Sequence, residues 1–142
     1  MSPATSYSLQ VTLSVSLSEA EKIVRDALSK EKFGIISEID IQAKLKEKLG
    51  VDHPAHKILG ACNPKLAHEA LQDNPDVALV LPCNVVLREE NNQTHVSAML
   101  PSVALKLFQG LKVQETACTA EEALKRVFEN LLLHFSVPHS RL

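Results

Sequence analysis

Apolar and polar residues alternate strictly from Tyr7 to Leu17. Leu9, Val11, Leu13, Val15 and Leu17 fall on one side, and Ser8, Gln10, Thr12, Ser14 and Ser16 on the other. A period of two over this length predicts a half-buried strand. Ser18-Glu19-Ala20-Glu21 then matches a capping box, in which Ser18 and Glu21 satisfy each other's backbone donors. Ala20, Ile23, Val24, Ala27 and Leu28 follow at helical spacing, predicting an amphipathic helix from Glu19 to Glu31. Gly34 to Asp40 is expected to be a second strand, with Ile35 and Ile39 on one face and Glu38 and Asp40 on the other. From Ile41 the apolar residues Ile41, Leu45 and Leu49 sit four apart, and Gly50 is a helix stop.

Asp52-His53-Pro54 reads as a turn and Lys57 to Gly60 as a short strand. Asn63-Pro64 opens a helix, since Asn is a good N-cap and Pro at the first helical position gives up a donor that is unpaired anyway. Leu66, Ala67, Ala70 and Leu71 are expected to form its buried stripe, and Asn74-Pro75 ends it. Val77 to Arg88 is expected to be a strand that is edge-like, bulged or bent at Pro82. Asn91-Asn92 is a hairpin turn into a strand from Thr94 to Leu100. After Pro101-Ser102, Val103 to Gln109 reads as a helical turn or two ending at Gly110, and Leu111 to Thr116 as a last short strand. Thr119 to Glu122 is a second capping box. It introduces a helix whose Ala123, Leu124, Val127, Phe128, Leu131, Leu132 and Phe135 face inward and which stops before Pro138. The order β-α-β…α-β-β…α predicts the α+β class: one domain over 7–137, a mainly antiparallel sheet with helices packed on one face, and flexible tails at 1–6 and 138–142. Leu9, Val11, Leu13, Ile35 and Ile39 are expected beneath the first and last helices.

Composition sharpens this picture by exclusion. The 142 residues suit a single domain, and 45% hydrophobic with 23% charged residues is globular rather than disordered. With no Trp, one Tyr and four Phe, the core must be aliphatic. Fifteen basic against seventeen acidic residues leave no electrostatic footprint for nucleic acid or an anionic membrane. The apolar run Val77 to Leu81 is far too short to span a bilayer. Cys62, Cys83 and Cys118 are too few, odd in number and too widely spaced for a disulfide framework, so a reducing, cytoplasmic setting is expected.

The segment Ile58-Leu59-Gly60-Ala61-Cys62-Asn63-Pro64, with Leu66-Ala67 and then Leu81-Pro82-Cys83-Asn84-Val85-Val86-Leu87, resembles the family of domain of unknown function 302. Phe33-Gly34-Ile35, the Glu38-Ile39-Asp40 strand and the Lys44/Glu47 helix resemble its N-terminal half. The resemblance spans roughly Tyr7 to Pro101. It implies a compact α+β domain and supplies no activity.

Candidate chemistry centres on Cys62 and Cys83. Cys62 immediately precedes a helix N-cap, where backbone donors and the macrodipole are expected to lower a thiol's pKa. If their strands are neighbours, the two thiols can meet as a redox couple or as two ligands of a soft metal; the plain alternative is that both are small buried hydrophobes. Gly60 would let a ligand approach the backbone closely, and the helix start at Asn63 offers donors to an anion unless Asn63 itself caps them. His56 and His68 flank this motif, yet no CxxC, HxxxH or HExxH spacing is present. His53 reads as part of a turn, and His134 and His139 as favourable charges at the end of the last helix. Glu38 and Asp40 share a strand face, as solvent exposure alone would produce. Lys44, Lys46, Glu47 and Lys48 form a solvated helix face, with an acidic partner as the alternative. No GxSxG elbow or phosphate loop occurs, so no catalytic residue is assigned.

The function these observations support is a soluble binding module for a small ligand or soft metal at the Gly60–Pro64 turn, with Gly60, Cys62, Asn63 and Cys83 as the ligand-binding residues. The alternatives are a thiol redox protein using Cys62 and Cys83, or a structural homo-oligomer without chemistry. A homodimer is expected, because an open sheet edge needs covering.

Overall fold

The computed structural model describes residues 5–134. The first alternation forms strand β1, Ser8–Leu13, which is shorter than its pattern. Two contacts from the far hairpin end it: Thr94 Oγ1 donates to the Val15 carbonyl at 2.9 Å, and Leu17 N–H donates to Glu89 Oε1 at 2.8 Å. Leu17 therefore begins helix α1, Leu17–Lys30, and Ser16 rather than Ser18 caps it, accepting from Glu19 N–H. Thr5, expected in a flexible tail, accepts from Ser8 N–H at 3.0 Å.

Strand β2, Gly34–Asp40, and helix α2, Ile41–Leu49, follow as the periodicity predicts, with Gly50 in the left-handed region at φ 67°. The faces of β2 differ from the simple alternation. A bulge between Ile35 and Ser37 shifts the register, so Ile35 pairs with Ala61 and Glu38 with Leu59, both on the helix-covered side. One extra residue flips every side chain beyond it. Ile35 is thus half-buried against the core, while Ile39, expected in the core, is 48% exposed.

Strand β3, His56–Cys62, leads through the Asn63 cap into helix α3, Pro64–Asp73. The expected Val77–Arg88 strand divides in two. Pro75–Val80 is a 3-10 helix whose cap, Asn74, accepts from Asp76 N–H, and the strand proper, β4, is Cys83–Glu90. Val77 points into the protein and is fully buried, whereas Leu79 is 82% exposed. Asn91 and Asn92 both have positive φ, 53° and 61°, as a two-residue hairpin turn requires. Strand β5, Gln93–Met99, returns beside β1.

The sheet order is β1-β5-β4-β3-β2 with every pairing antiparallel. A short helix α4, Pro101–Ala104, precedes α5, Leu111–His134. The expected strand at Leu111–Thr116 is the start of α5, and the Thr119–Glu122 capping box lies inside that helix. Thr119 Oγ1 donates back to the Glu115 carbonyl. The cap comes from elsewhere: Asp73 Oδ2, on α3, accepts from Val113 N–H at 2.9 Å. The expected inward position of Phe135, the stop before Pro138, His139 and the tail at 138–142 lie outside the described residues, as do 1–4.

The result is a single α+β domain. Helices α1 and α5 cover one sheet face, burying Leu9, Leu13, Leu59, Val85, Leu87 and Val96 against Val24, Leu28, Leu124, Phe128 and Leu131. Each fully buried Leu or Phe contributes about 1.5–3 kcal/mol, so this cluster dominates stability. A second, smaller cluster gathers Ala70, Val77, Leu105, Val113 and Ala117 where α3, the 3-10 helix and the start of α5 meet. No described helix is long and apolar enough to cross a membrane.

Candidate functional site

The end of β3 and the beginning of β4 lie side by side, with Ala61 directly opposite Cys83. Cys62 therefore sits diagonally across from Cys83, and both line a cleft of about 50 Å³ at the margin of the second cluster. Asn63, Ala67, Leu81, Pro82 and Leu105 complete much of its wall, together with Phe33 and Thr116. The Thr116 hydroxyl is already used, donating to the Val113 carbonyl at 2.9 Å, so the wall is almost wholly apolar.

Burial raises the pKa of the Cys62 thiol. Burial likewise raises that of Cys83, and a charge on Cys62 pushes it further up. The expected lowering at a helix start is not realised: desolvation disfavours the thiolate. Both thiols are neutral at neutral pH. The Asn63 side chain caps α3, Oδ1 accepting from Leu66 N–H at 3.3 Å, which occupies a donor that an anion would need.

Gly60 does not line the cleft, and the close approach it permits is filled by protein. A Cβ there would collide with the Ser37 hydroxyl and lie 2.7 Å from the Pro82 ring. Its role is to let β2 and Pro82 pack onto β3. Of the four expected site residues, the structure thus brings Cys62, Asn63 and Cys83 to one cleft and leaves Gly60 behind its wall. Sequence reasoning missed Leu105 and Thr116, because they belong to segments whose local pattern gave no sign of approaching Cys83.

The carboxylates expected on β2 have structural partners. Lys57 Nζ reaches Glu21 Oε1 and Glu38 Oε1, each at 2.8 Å, and Arg25 bridges the same two carboxylates at 2.8 and 2.9 Å. Burial raises the Glu21 pKa, but hydrogen bonds and charge from Lys57 and Arg25 outweigh it and hold the carboxyl below its ordinary range. The hydrogen bonds from Glu21 and Glu38 push Lys57 upward. Asp40 instead caps α2 through Ala43 N–H at 2.9 Å.

His68 is an exposed residue on α3. Elsewhere, His53 Nε2 and His56 Nδ1 meet at 3.1 Å beside the β4–β5 hairpin. Burial, with charge from His53 and Arg88, lowers the His56 pKa. Among the described residues no three or more His, Cys, Asp or Glu side chains are grouped to hold a metal ion.

Comparison with known proteins agrees with this architecture and adds no activity. No curated protein matches the chain. One solved structure, the crystal structure of an uncharacterized conserved DUF302 protein from Bacillus stearothermophilus, is similar at 27% identity and a TM-score of 0.79, covering 88% of this chain and 98% of that one. The family model described as domain of unknown function DUF302 matches residues 9–131, from the second residue of β1 to the last buried turn of α5. The cleft between Cys62 and Cys83 lies within that matched span, and the chain belongs to the DUF302 family.

Proposed function

We propose that the chain is a binding module whose cleft at Cys62, Asn63 and Cys83 takes a small apolar group. The observation that carries this reading is the wall: mostly aliphatic side chains with the Phe33 ring and two neutral thiols, its one hydroxyl already bonded and the Asn63 side-chain oxygen engaged in the helix cap. Buried thiols behave as small hydrophobes with weak donors, which suits an apolar guest better than an anion. Size narrows the class. An engineered apolar cavity of about 150 Å³ holds benzene, so a cleft of about 50 Å³ seats only the branched end of a small aliphatic guest. A soft metal needs thiolates, and both thiols are desolvated and protonated in an apolar wall, so the soft-metal form of this reading has less support.

The test uses isobutanol as the guest, followed by amide chemical shifts. Saturable shifts at Cys62, Ala67 and Cys83 are expected in the native protein and absent in Ala67→Leu, whose larger side chain fills the cleft. Linear, unsaturable shifts, or identical shifts in the variant, refute the reading.

Two observations favour the other readings. Adjacent strands carrying two thiols to one cleft support a dithiol couple. Hydrogen peroxide should then yield an intramolecular disulfide and water, detected as the loss of two hydrogens by mass and blocked by Cys62→Ser or Cys83→Ser. The exposed β2 edge, with Ile36 at 65% and Ile39 at 48% exposure, supports a homodimer. Sedimentation should report twice the chain mass, reduced to one by Ile36→Lys; a monomer in the native protein ends that reading.

A further inference from the structure

The loop between α2 and β3 brings two imidazoles together by their nitrogen edges. His53 and His56 lie three residues apart, with Nε2 and Nδ1 3.1 Å from one another, ring centroids 5.3 Å apart and ring planes inclined by only 13°. A zinc ion bound tetrahedrally by two imidazoles at about 2.05 Å holds their nitrogens about 3.3 Å apart and their centroids about 5.2 Å apart. The observed distances are those of a hydrogen-bonded pair whose nitrogens face each other, and they lie within a few tenths of an ångström of that arrangement, so a small rotation of the rings turns both lone pairs onto one ion.

The surroundings have room, and two carboxylates stand there against one cation. The pair opens onto a cavity of about 450 Å³ that is also lined by Arg88, Glu89, Glu90 and the Asn91–Asn92 turn. Arg88, the cation facing the cavity, is paired with Glu90 at 3.3 Å. Glu89 spends one carboxylate oxygen on Leu17 N–H, which holds that side chain in place.

We propose that His53 Nε2 and His56 Nδ1 form a binding site for a late divalent transition-metal ion such as zinc, nickel or copper, with water completing its coordination. Imidazole suits these metals, and the site is separate from the thiol cleft. No third donor side chain is grouped with the pair among the described residues, so the ion keeps open positions. Without metal, one ring donates a proton to the other across the 3.1 Å gap. On binding, the donating ring carries that proton on its other nitrogen, so the ion takes the proton's place without net proton release.

The experiment is calorimetric titration of chelator-treated full-length protein with zinc, nickel and copper salts in turn, together with imidazole nitrogen shifts recorded with zinc. One ion per chain is expected, with the two shifted nitrogens assigned to His53 and His56. His53→Ala and His56→Ala should each weaken binding at least tenfold, while the double Cys62→Ser, Cys83→Ser variant binds like the native chain. Absence of saturable binding, shifts at other histidines, or loss confined to the cysteine variant would overturn the proposal. The nitrogen shifts need no variant, so the idea stays testable even if a histidine substitution impairs folding. Isobutanol binding at the cleft should be unchanged by zinc, which separates failure here from failure of the proposed function.

Discussion

The two hydrophobic clusters are built from different materials. The sheet-side cluster is filled by large side chains on long, regular elements, with Phe128, Leu9, Leu13 and Leu131 fully buried. The smaller one is assembled from two alanines, two valines and a leucine supplied by α3, a 3-10 helix, the turn after α4 and the start of α5. Small residues at a junction of short elements pack without filling it, and the cleft at Cys62 and Cys83 lies at that margin. The division is a physical one: the first cluster supplies stability, while the second leaves space that a guest can use.

The sharpest way to break this comparison is to cut one large residue from each side. Phe128→Ala should cost about 3–5 kcal/mol in urea unfolding, through lost transfer energy plus the cavity left behind. Val77→Ala, equally buried, should cost about 1–2 kcal/mol, because fewer atoms are removed. Equal losses would mean that the second cluster is as tightly packed as the first. At the seam between them, Gly60→Ala should cost about 1–3 kcal/mol. The Ser37 hydroxyl can rotate away from the new Cβ, but the Pro82 ring cannot.

Titration separates the regions by pH. Glu21 has a lowered pKa in the folded protein, so its contribution is complete above its ordinary value of 4.5 and is lost as pH falls through the folded value. Lys57 is raised, so its contribution persists up to 10.5 and is lost as pH rises through its folded value. These partly exposed pairs are worth about 1 kcal/mol or less each. The cleft responds earlier on the alkaline side. Cys62 and Cys83 are raised above 9.0, so the unfolded chain ionises first and stability declines from about pH 9 upward. Urea midpoints measured across pH should show that early decline in the native protein and not in the double Cys62→Ser, Cys83→Ser variant. An unchanged profile would show that the thiols are not desolvated. The smallest effect is expected from Ala67→Leu, which extends into existing space: under about 1.5 kcal/mol of either sign, with isobutanol binding abolished.

The same contrast explains what could be read along the chain. Leu9 to Leu13, the stripe from Ala20 to Leu28, the Asn63-Pro64 start and the Asn91-Asn92 turn each carry their information within a few residues, and all appear where the pattern places them. Cys62, Asn63 and Cys83 were legible as candidates from their local motifs; that β3 and β4 are neighbours across the intervening α3 and 3-10 helix was a condition that the sequence left open and the fold meets. The thiols' acidity was not, since helix-start donors are visible in sequence and the desolvation that overcomes them is not.

Local pattern by itself determined the α+β class, the main amphipathic elements and the Asn63 cap, because periodicity and such a cap act over one or two turns of chain. Tertiary structure alone decided where β1 ends, which face Ile39 takes, that Leu111 begins a helix and that Gly60 backs the cleft without lining it. Each of these rests on a partner distant in sequence: Thr94 and Glu89 for the end of β1, the register against β3 for Ile39, Asp73 for the start of α5, and Ser37 with Pro82 for Gly60. A donor satisfied or a space filled from 20 to 80 residues away leaves no local trace, and only the folded chain brings the two together.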